Sequence, residues 1–406
     1  MSADGITRDI TNLVHEIQIR QDMYLGFMSG ELSVVDAADI YSQAALHGNE
    51  YLFVHIREPE QDICIKKAFR VYKVGERTAA QNNSQRFNLY FCSEELFISN
   101  SRKISKAYSN TLVSDVVLDI LKNSLNVPQD RIVVEETETP FDYVAPWLHP
   151  LDILNWLASR AHADGSSAFF FYENLNGFNF RSLQSIYKDG TIIKVPFKFE
   201  QKSVDKAIGM DKYAIDSYES KRDFDTIRLM QNGGVSLLMH KVDTLNRTHD
   251  TVKYGMDDIA TLYKNPLLSN PNTTDNKPLF DQSETYALTY LNLPGIDSWV
   301  KRVLSMAALT SNSLELVLPG SIRLQAGTLI NCKFPYASTP VEGDMWDKRK
   351  SGKYLIVAVN QKFDLVNHKW DTIVMITRDS LPEALPPPDT RLAEKVKKLN
   401  SKSHRD

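Results

Sequence analysis

Few side chains in this 406-residue chain have types and spacing that could do chemistry, and each has a plainer reading. His149 and His162 stand near the two ends of a helix opened by Pro150, too far apart to share a metal ion, so they read as surface or capping groups. Glu135, Glu136 and Glu138 offer the carboxylates that glycoside hydrolysis uses. Such a pair must face across a cleft at about 5 to 9.5 Å, however, and neighbours in a polar loop are not arranged that way. A solvated loop is the expectation there. Lys348-Arg349-Lys350, ahead of Ser351-Gly352, could touch a phosphate or an acidic partner, but no stacking aromatics accompany it, and a solvated hairpin tip is favoured. Phe169, Phe170, Phe171, Tyr172, Phe178 and Phe180 could form a sugar platform; lying in strands of small and apolar residues, they read as core. Trp147 and Trp156 read as core or interface anchors. The chain holds no GxSxG, GxxxxGK[ST] or HExxH, and no GxGxxG that opens a helix. Cys64, Cys92 and Cys332 are widely separated and odd in number, which suits a reducing compartment better than a disulfide framework or a CxxC metal site. No catalytic residue, cofactor or metal is expected.

The elements that would position any site look ordinary and numerous. At 42% hydrophobic and 24% charged residues the chain has globular composition, and its length allows two to four domains. Lys and Arg number 47 against 51 Asp and Glu, so the net charge of -4 advertises neither nucleic acid nor an anionic membrane as a partner. Met1 to Ile10 leads into no apolar segment, and no apolar run approaches the roughly 18 to 20 residues of a membrane span. Neither a secretory leader nor membrane insertion is expected.

Tyr51 to Arg57, Ile63 to Val74 and Gln85 to Cys92 read as strands, being rich in aromatic and β-branched residues and separated by turn signals. From Asn110 to Asn123 an apolar stripe at Val113, Val116, Val117, Ile120 and Leu121 predicts a helix, ended by Val127-Pro128. Pro150 to Ala161 predicts a second, and short strands follow at 168–173, 177–183 and 192–200. Strands are expected at Tyr213 to Glu219 and Val235 to Asp243, and an external excursion at Lys264 to Asp281, which is rich in Pro, Asn and Thr. A helix at Asp297 to Ala308 comes next. Four strands complete the group at Leu314 to Leu318, Gly327 to Phe334, Lys353 to Phe363 and Lys369 to Arg378, before a proline-rich spacer and a basic tail.

The two strand-rich ends share a plan. In one, a strand ending at Pro59 is followed by Ala68 to Val74 and Gln85 to Cys92; in the other, a strand ending at Pro335 is followed by Tyr354 to Gln361 and Trp370 to Thr377. Residue identity is slight. A duplicated barrel and a chance likeness of two β-meanders both remain open on this pattern.

The segment Leu314 to Leu381, with Ser351, Gly352, Lys353, Tyr354, Leu355 and Ile356 at its centre and Arg378, Asp379 and Ser380 at its end, resembles the closing barrel of baseplate hub proteins of contractile-tailed phages. Phe87 to Leu125, Pro150 to Phe180 and Tyr218 to Arg247 are similar to other parts of that family, which is related to the trunk of type VI secretion spike proteins. The resemblance implies an α+β, mainly β fold with two tube-like antiparallel barrels and peripheral α+β domains, assembling as a trimeric ring. On that plan residues 1–108 are the first barrel domain and 109–210 the peripheral domain. Residues 211–255 with 311–381 form the second barrel, 256–310 an insertion, and 382–406 the linker and tail.

The function implied is a homotrimeric adaptor with six quasi-equivalent modules, joining the hexameric tail tube to the trimeric central spike around a channel through which DNA passes. Expected partners are its own copies, the spike protein, the tail tube protein, baseplate wedge proteins and the tape measure protein, in a virion assembled after synthesis in the host cytoplasm. Tyr72, Trp370, Ile373 and Met375 are the expected subunit or ring contacts, and Arg391, Lys395, Lys397 and Lys398 the expected spike or baseplate contacts. Rival readings are a secretion-spike trunk and a tail-associated peptidoglycan hydrolase. The trunk family often carries its needle on the same chain, and no Gly-rich β-helix repeat follows Leu381.

Overall fold

The computed structural model describes residues 7–37, 46, 48–58, 63–75, 77–79, 84–163, 165–199, 212–222, 236–243, 246–255, 258–259, 261–263, 265–266, 286–290, 296–336 and 345–383. The first unit comprises Val14–Asp22 (β1), Ser29–Asp36 (β2), Tyr51–Glu58 (β3), Ile63–Val74 (β4), Thr78–Ala79 (β5) and Gln85–Ser93 (β6). Alternation places Ile17, Ile19, Leu32, Val34, Phe87, Leu89 and Phe91 on one buried face. The sequence reading has no strand before Tyr51. In β1 and β2 the partners of the apolar residues are Glu16, Gln18, Arg20, Glu31 and Ser33, which dilute the β-branched signal.

An α+β body follows, built of Glu94–Ser101 (α1), Ala107–Thr111 (β7), Val113–Asp119 (α2), Ile132–Val134 (β8), Phe141–Val144 (β9), Pro150–Arg160 (α3), Phe169–Asn174 (β10), Gly177–Ser182 (β11) and Leu183–Asp189 (α4). The helix expected from Asn110 begins at Val113, because Ala107–Thr111 pairs with β9 and Asn110 sits at a φ of 48°. It continues through a π-helical turn to Ser124. Val116, Val117, Ile120 and Leu121 meet Ile153, Leu154 and Leu157 of α3 and the rings of Phe169, Phe171, Phe178 and Phe180 in one core. Pro150 occupies the first turn of α3, where its missing N–H costs nothing.

The remaining elements are Phe197–Lys198 (β12), Ser217–Arg222 (β13), Ser236–Asp243 (β14), Thr248–Gly255 (β15), Asn265–Pro266 (β16), Tyr286–Tyr290 (β17), Ile296–Ser311 (α5), Ser313–Pro319 (β18), Leu329–Lys333 (β19), Gly352–Asp364 (β20), Lys369–Thr377 (β21) and Ser380–Leu381 (β22). Of the strand expected at 192–200, Phe197–Lys198 pairs in parallel with β19, and Ile192 N–H donates separately to Leu329 O at 3.0 Å. β14 is flanked by β15 and β17, and Leu237, Met239 and Tyr254 pack against Val300 and Leu304 of α5. Within the expected excursion, β16 pairs with β22, and residues 267–281 lie outside the described ones. So does the tail after residue 383, with Arg391, Lys395, Lys397 and Lys398.

One sheet runs through both strand-rich ends in the order β13-β18-β21-β20-β1-β2-β6-β4-β3. The α+β body is locked to it at a buried charge. Glu173 on β10 is fully buried; it accepts the Lys67 ammonium of β4 at 2.6 Å, the Arg131 guanidinium at 3.3 Å and the Met28 N–H at 3.0 Å, together with the Ser93 hydroxyl. Removing one member of such a pair strands the other charge in a dry interior, at a typical cost of about 3 to 5 kcal/mol. Glu173→Ala should therefore lower the unfolding free energy by about that amount in denaturant titrations, and Lys67→Met with Glu173→Leu should cost less than Glu173→Ala alone.

Glu95 on α1 lies beside this cluster, held by Arg131 at 3.1 Å. Burial, and then repulsion from Glu173, raises its pKa above the ordinary 4.5. The folded state thus holds a proton that the unfolded chain releases, so this contribution to stability is full below pH 4.5 and is lost as the pH climbs through the raised folded value. Glu95→Gln, which cannot ionise, should flatten the fall in melting temperature across that window.

Candidate assembly surfaces

The two ends of the sheet are copies of one five-strand plan. β3-β4-β6-β2-β1 and β19-β20-β21-β18-β13 follow the same spatial order from strands in the same chain order, which supports duplication over chance. Their registers agree in detail. Tyr51 faces Arg70 as Leu329 faces Leu355, and Val71 N–H donates to Glu50 O at 2.9 Å as Ile356 N–H donates to Thr328 O at 2.9 Å. The long strand of each unit bulges at the next residue, Tyr72 against β6 and Val357 against β21. Phe69 and Tyr354, three residues before each bulge, are both fully buried aromatics.

The sheet's two faces differ. Beneath β18, β20 and β21 lie Leu316, Leu318, Tyr354, Ile356, Val374 and Ile376, the counterpart of the core under the first unit. The opposite face is polar and charge-paired. Arg20 bonds Glu31, Lys362 meets Glu16 at 3.1 Å, Lys221 meets Glu315 at 3.2 Å, and Lys369 meets Asp371 at 2.6 Å. At the junction of the units this face holds an open groove of about 590 Å³ lined by groups such as Gln18, Glu31, Arg86, Asn88 and Asp364. Walls made mostly of polar side chains, with Val366 at one side, suit hydrated contact better than capture of a small molecule.

The expected contact residues separate across these surfaces. Ile373 and Met375 are apolar islands on the polar face, Met375 being 36% exposed. Trp370 points the other way, stacked on Phe363 at 4.9 Å and donating from Nε1 to Gln361 Oε1 at 2.9 Å, so its packing is within the chain. Tyr72 lies at the far end of the sheet, 48% exposed, whereas its counterpart Val357 is 2% exposed in a cluster with Met23, Phe170 and Tyr172. Near Tyr72, Arg70 stacks over Tyr51 at 3.5 Å, and Phe53 is 53% exposed. Sequence reading missed this patch, since YLFVHIR reads equally well as core.

Other candidates have structural roles. Glu135 is not solvated as expected; its carboxylate takes Ser182 N–H at 2.7 Å and Ser182 Oγ at 2.8 Å, tying β8 to the start of α4. His149 bridges to the carbonyls of Ser99 and Arg102, and His162 to Thr139. Lys348, Arg349 and Lys350 form an exposed tip folded around Asp347. The rings of Phe169, Phe170, Phe171, Tyr172, Phe178 and Phe180 are buried. Among the described residues, no group of His, Cys, Asp and Glu could hold a metal ion, and no helix is long and apolar enough to cross a membrane.

Set against solved structures, the architecture is similar to that of the tail protein from Neisseria meningitidis MC58, with a TM-score of 0.53 at 10% identity over 90% of this chain and 92% of that one. The two chains share a fold. Looser likenesses are a 43 kDa tail protein of prophage MuSo2 from Shewanella oneidensis (TM-score 0.49, 9% identity, 90% and 94% covered) and the E. coli c3393 protein, a component of the type VI secretion system (0.47, 10%, 95% and 78%). No family model and no curated protein matches the sequence.

Half-exposed ion pairs contribute little to folding, typically about 0 to 1 kcal/mol. Arg20→Ala and Lys362→Ala should each change the unfolding free energy by less than about 1 kcal/mol, as read by denaturant melts.

Proposed function

We propose that this chain is a structural baseplate hub of a phage contractile tail: a homotrimer whose duplicated units give six similar docking modules between a hexameric tail tube and a three-fold spike. The observation that carries the reading is the duplication itself, the same strand order and the same bulge in both units. A three-fold assembly of doubled subunits can meet a six-fold ring on one side and a three-fold spike on the other, which closed symmetry otherwise forbids to a simple trimer. The shared fold with a tail protein supports the same reading. The work is adhesion and not catalysis, so broad surfaces with a few aromatic anchors take the place of a reactive cleft.

In this arrangement the polar face lines the channel. Nucleic acid is held where uncompensated cations release its counterions. On this face Arg20, Lys362, Lys221 and Lys369 are all paired with carboxylates, so a passing polyanion meets little net positive field. Partners of the ring faces are the tail tube protein and the spike, with wedge proteins outside.

Light scattering coupled to size exclusion should give three times the 46.2 kDa chain mass, alone or with the spike protein. Tyr72→Arg should shift the species toward monomer by tenfold or more in dissociation constant while leaving the melting temperature of the monomer within a few degrees, because the ring is 48% exposed. A monomer under all conditions would overturn the trimeric hub.

A further inference from the structure

Within one chain, the two units are joined by a strand pairing whose logic is not exhausted at the chain's ends. β1, the first strand of the first unit, adds to the second half of β20: Glu16 faces Asp364, Gln18 faces Lys362 and Asp22 faces Ala358. The first half of β20 is already taken by β19, and the changeover comes at the bulge, where Met23 N–H donates to Val357 O at 2.9 Å. At the same place in the first unit residues 48–50 run beside β4, Glu50 O accepting from Val71 N–H at 2.9 Å and Gly48 lying against the backbone of Tyr72. β3 covers β4 only as far as Arg70, and beyond Tyr72 no strand among the described residues lies on the outer edge of β4 and β5. Lys73, Thr78 and Ala79 are exposed there. At the other end of the sheet, β13 is the second unit's counterpart of β1. It pairs with β18 on one side, among the described residues has no strand on the other, and is exposed along its whole length.

We propose that β13 of one copy adds, antiparallel, to the outer edge of β4 and β5 of the next copy, with Tyr218 opposite Ala79, Glu219 opposite Thr78 and Arg222 opposite Gly75. The register follows from the internal joint. Tyr218 faces Leu316 as Ile17 faces Leu32, and Leu316 faces Val374 as Leu32 faces Leu89, so Tyr218 stands in the place of Ile17 and Glu219 in that of Gln18. On the receiving side Thr78 faces Arg86 as Lys362 faces Asp371, so Thr78 stands in the place of Lys362. Arg222 faces Ser313, and Ser313 faces Thr377, as Arg20 faces Ser29 and Ser29 faces Cys92; Arg222 is thus the counterpart of Arg20. The irregularity after Ser220 and the one between β4 and β5 compensate, and one register serves the full length.

The exposure of Tyr72 supports the same partner. Tyr72 stands beside the proposed edge at 48% exposure, whereas its counterpart Val357 is covered at the internal joint by Met23 from the end of β1 together with Phe170 and Tyr172. The contact is head-to-tail, so it repeats from copy to copy and closes only as a ring. The pairing rests on the hub reading for the number of copies, and on the duplication alone for its register.

The test uses the full chain in a Cys64→Ser background, since Cys64 is exposed while Cys92 and Cys332 are buried. One preparation carries Glu219→Cys and another Thr78→Cys, and a short bis-maleimide is added to each alone and to the mixture. A covalent dimer in the mixture, with neither preparation cross-linking alone, is the expected result. The same Glu219→Cys chain mixed with a His55→Cys chain, which marks the outer strand β3, should give no product. Cross-linking to His55 in place of Thr78, or a trimer by light scattering with no Glu219–Thr78 product, would overturn the pairing and leave the hub reading standing. Monomer by light scattering with no product would overturn both.

Discussion

A sheet that ends leaves a row of backbone N–H and C=O groups without partners, and such an edge invites whatever strand can reach it. This constraint organises the whole molecule. The chain meets it once internally, where β1 of the first unit takes the open half of β20 in the second, and the nine-strand path exists only because of that joint. The bulge at Val357 marks where β19 stops and β1 begins, so β20 serves two partners along a single edge, and β4 bulges at the equivalent Tyr72.

With the edges arranged this way, the faces follow. One face of the sheet closes over two apolar cores that are counterparts of each other. The other carries charges that neutralise one another locally, which keeps it hydrated without a strong field of either sign. The α+β body is fastened between the units from both sides. Phe170, Tyr172 and Leu183 pack on Leu355 and Val357 of the second unit, while Glu173, one residue further along β10, reaches Lys67 in the first. Alternation along a single strand thus sends one side chain to each unit. The buried Glu173 is the polar element that orients this packing, and its partners come from four separate segments, β4, the end of β6, the approach to β8 and the turn before β2.

Legibility from sequence tracked the distance over which each feature is determined. Helix α3 was readable because Pro150 and the apolar residues after it act within a few turns. The strands Tyr51–Glu58, Ile63–Val74 and Gln85–Ser93 were readable from their β-branched and aromatic runs, and the plan they share with the last strands could be seen in their order. β1 and β2 could not, since half of their residues face solvent and are charged. Nor could the roles of Glu173 and Glu135, which sit among neighbours that say nothing of a partner over 40 residues away. Met375 and Trp370, five residues apart in one strand, both read as contact candidates, and their odd spacing sends them to opposite faces, of which only the structure shows one to be covered within the chain.

What the sequence by itself determined was the mainly β character, the placement of the long helices and a shared order of strands at the two ends, because propensity, periodicity and order are local properties of a chain. That this likeness is a doubled unit came from the spatial strand order. Which edges are filled, which aromatics remain outside and which charges are buried was decided only by the tertiary structure. Those outcomes depend on hydrogen-bond registers between segments hundreds of residues apart, such as Gln18 against Lys362, and no local pattern carries that information.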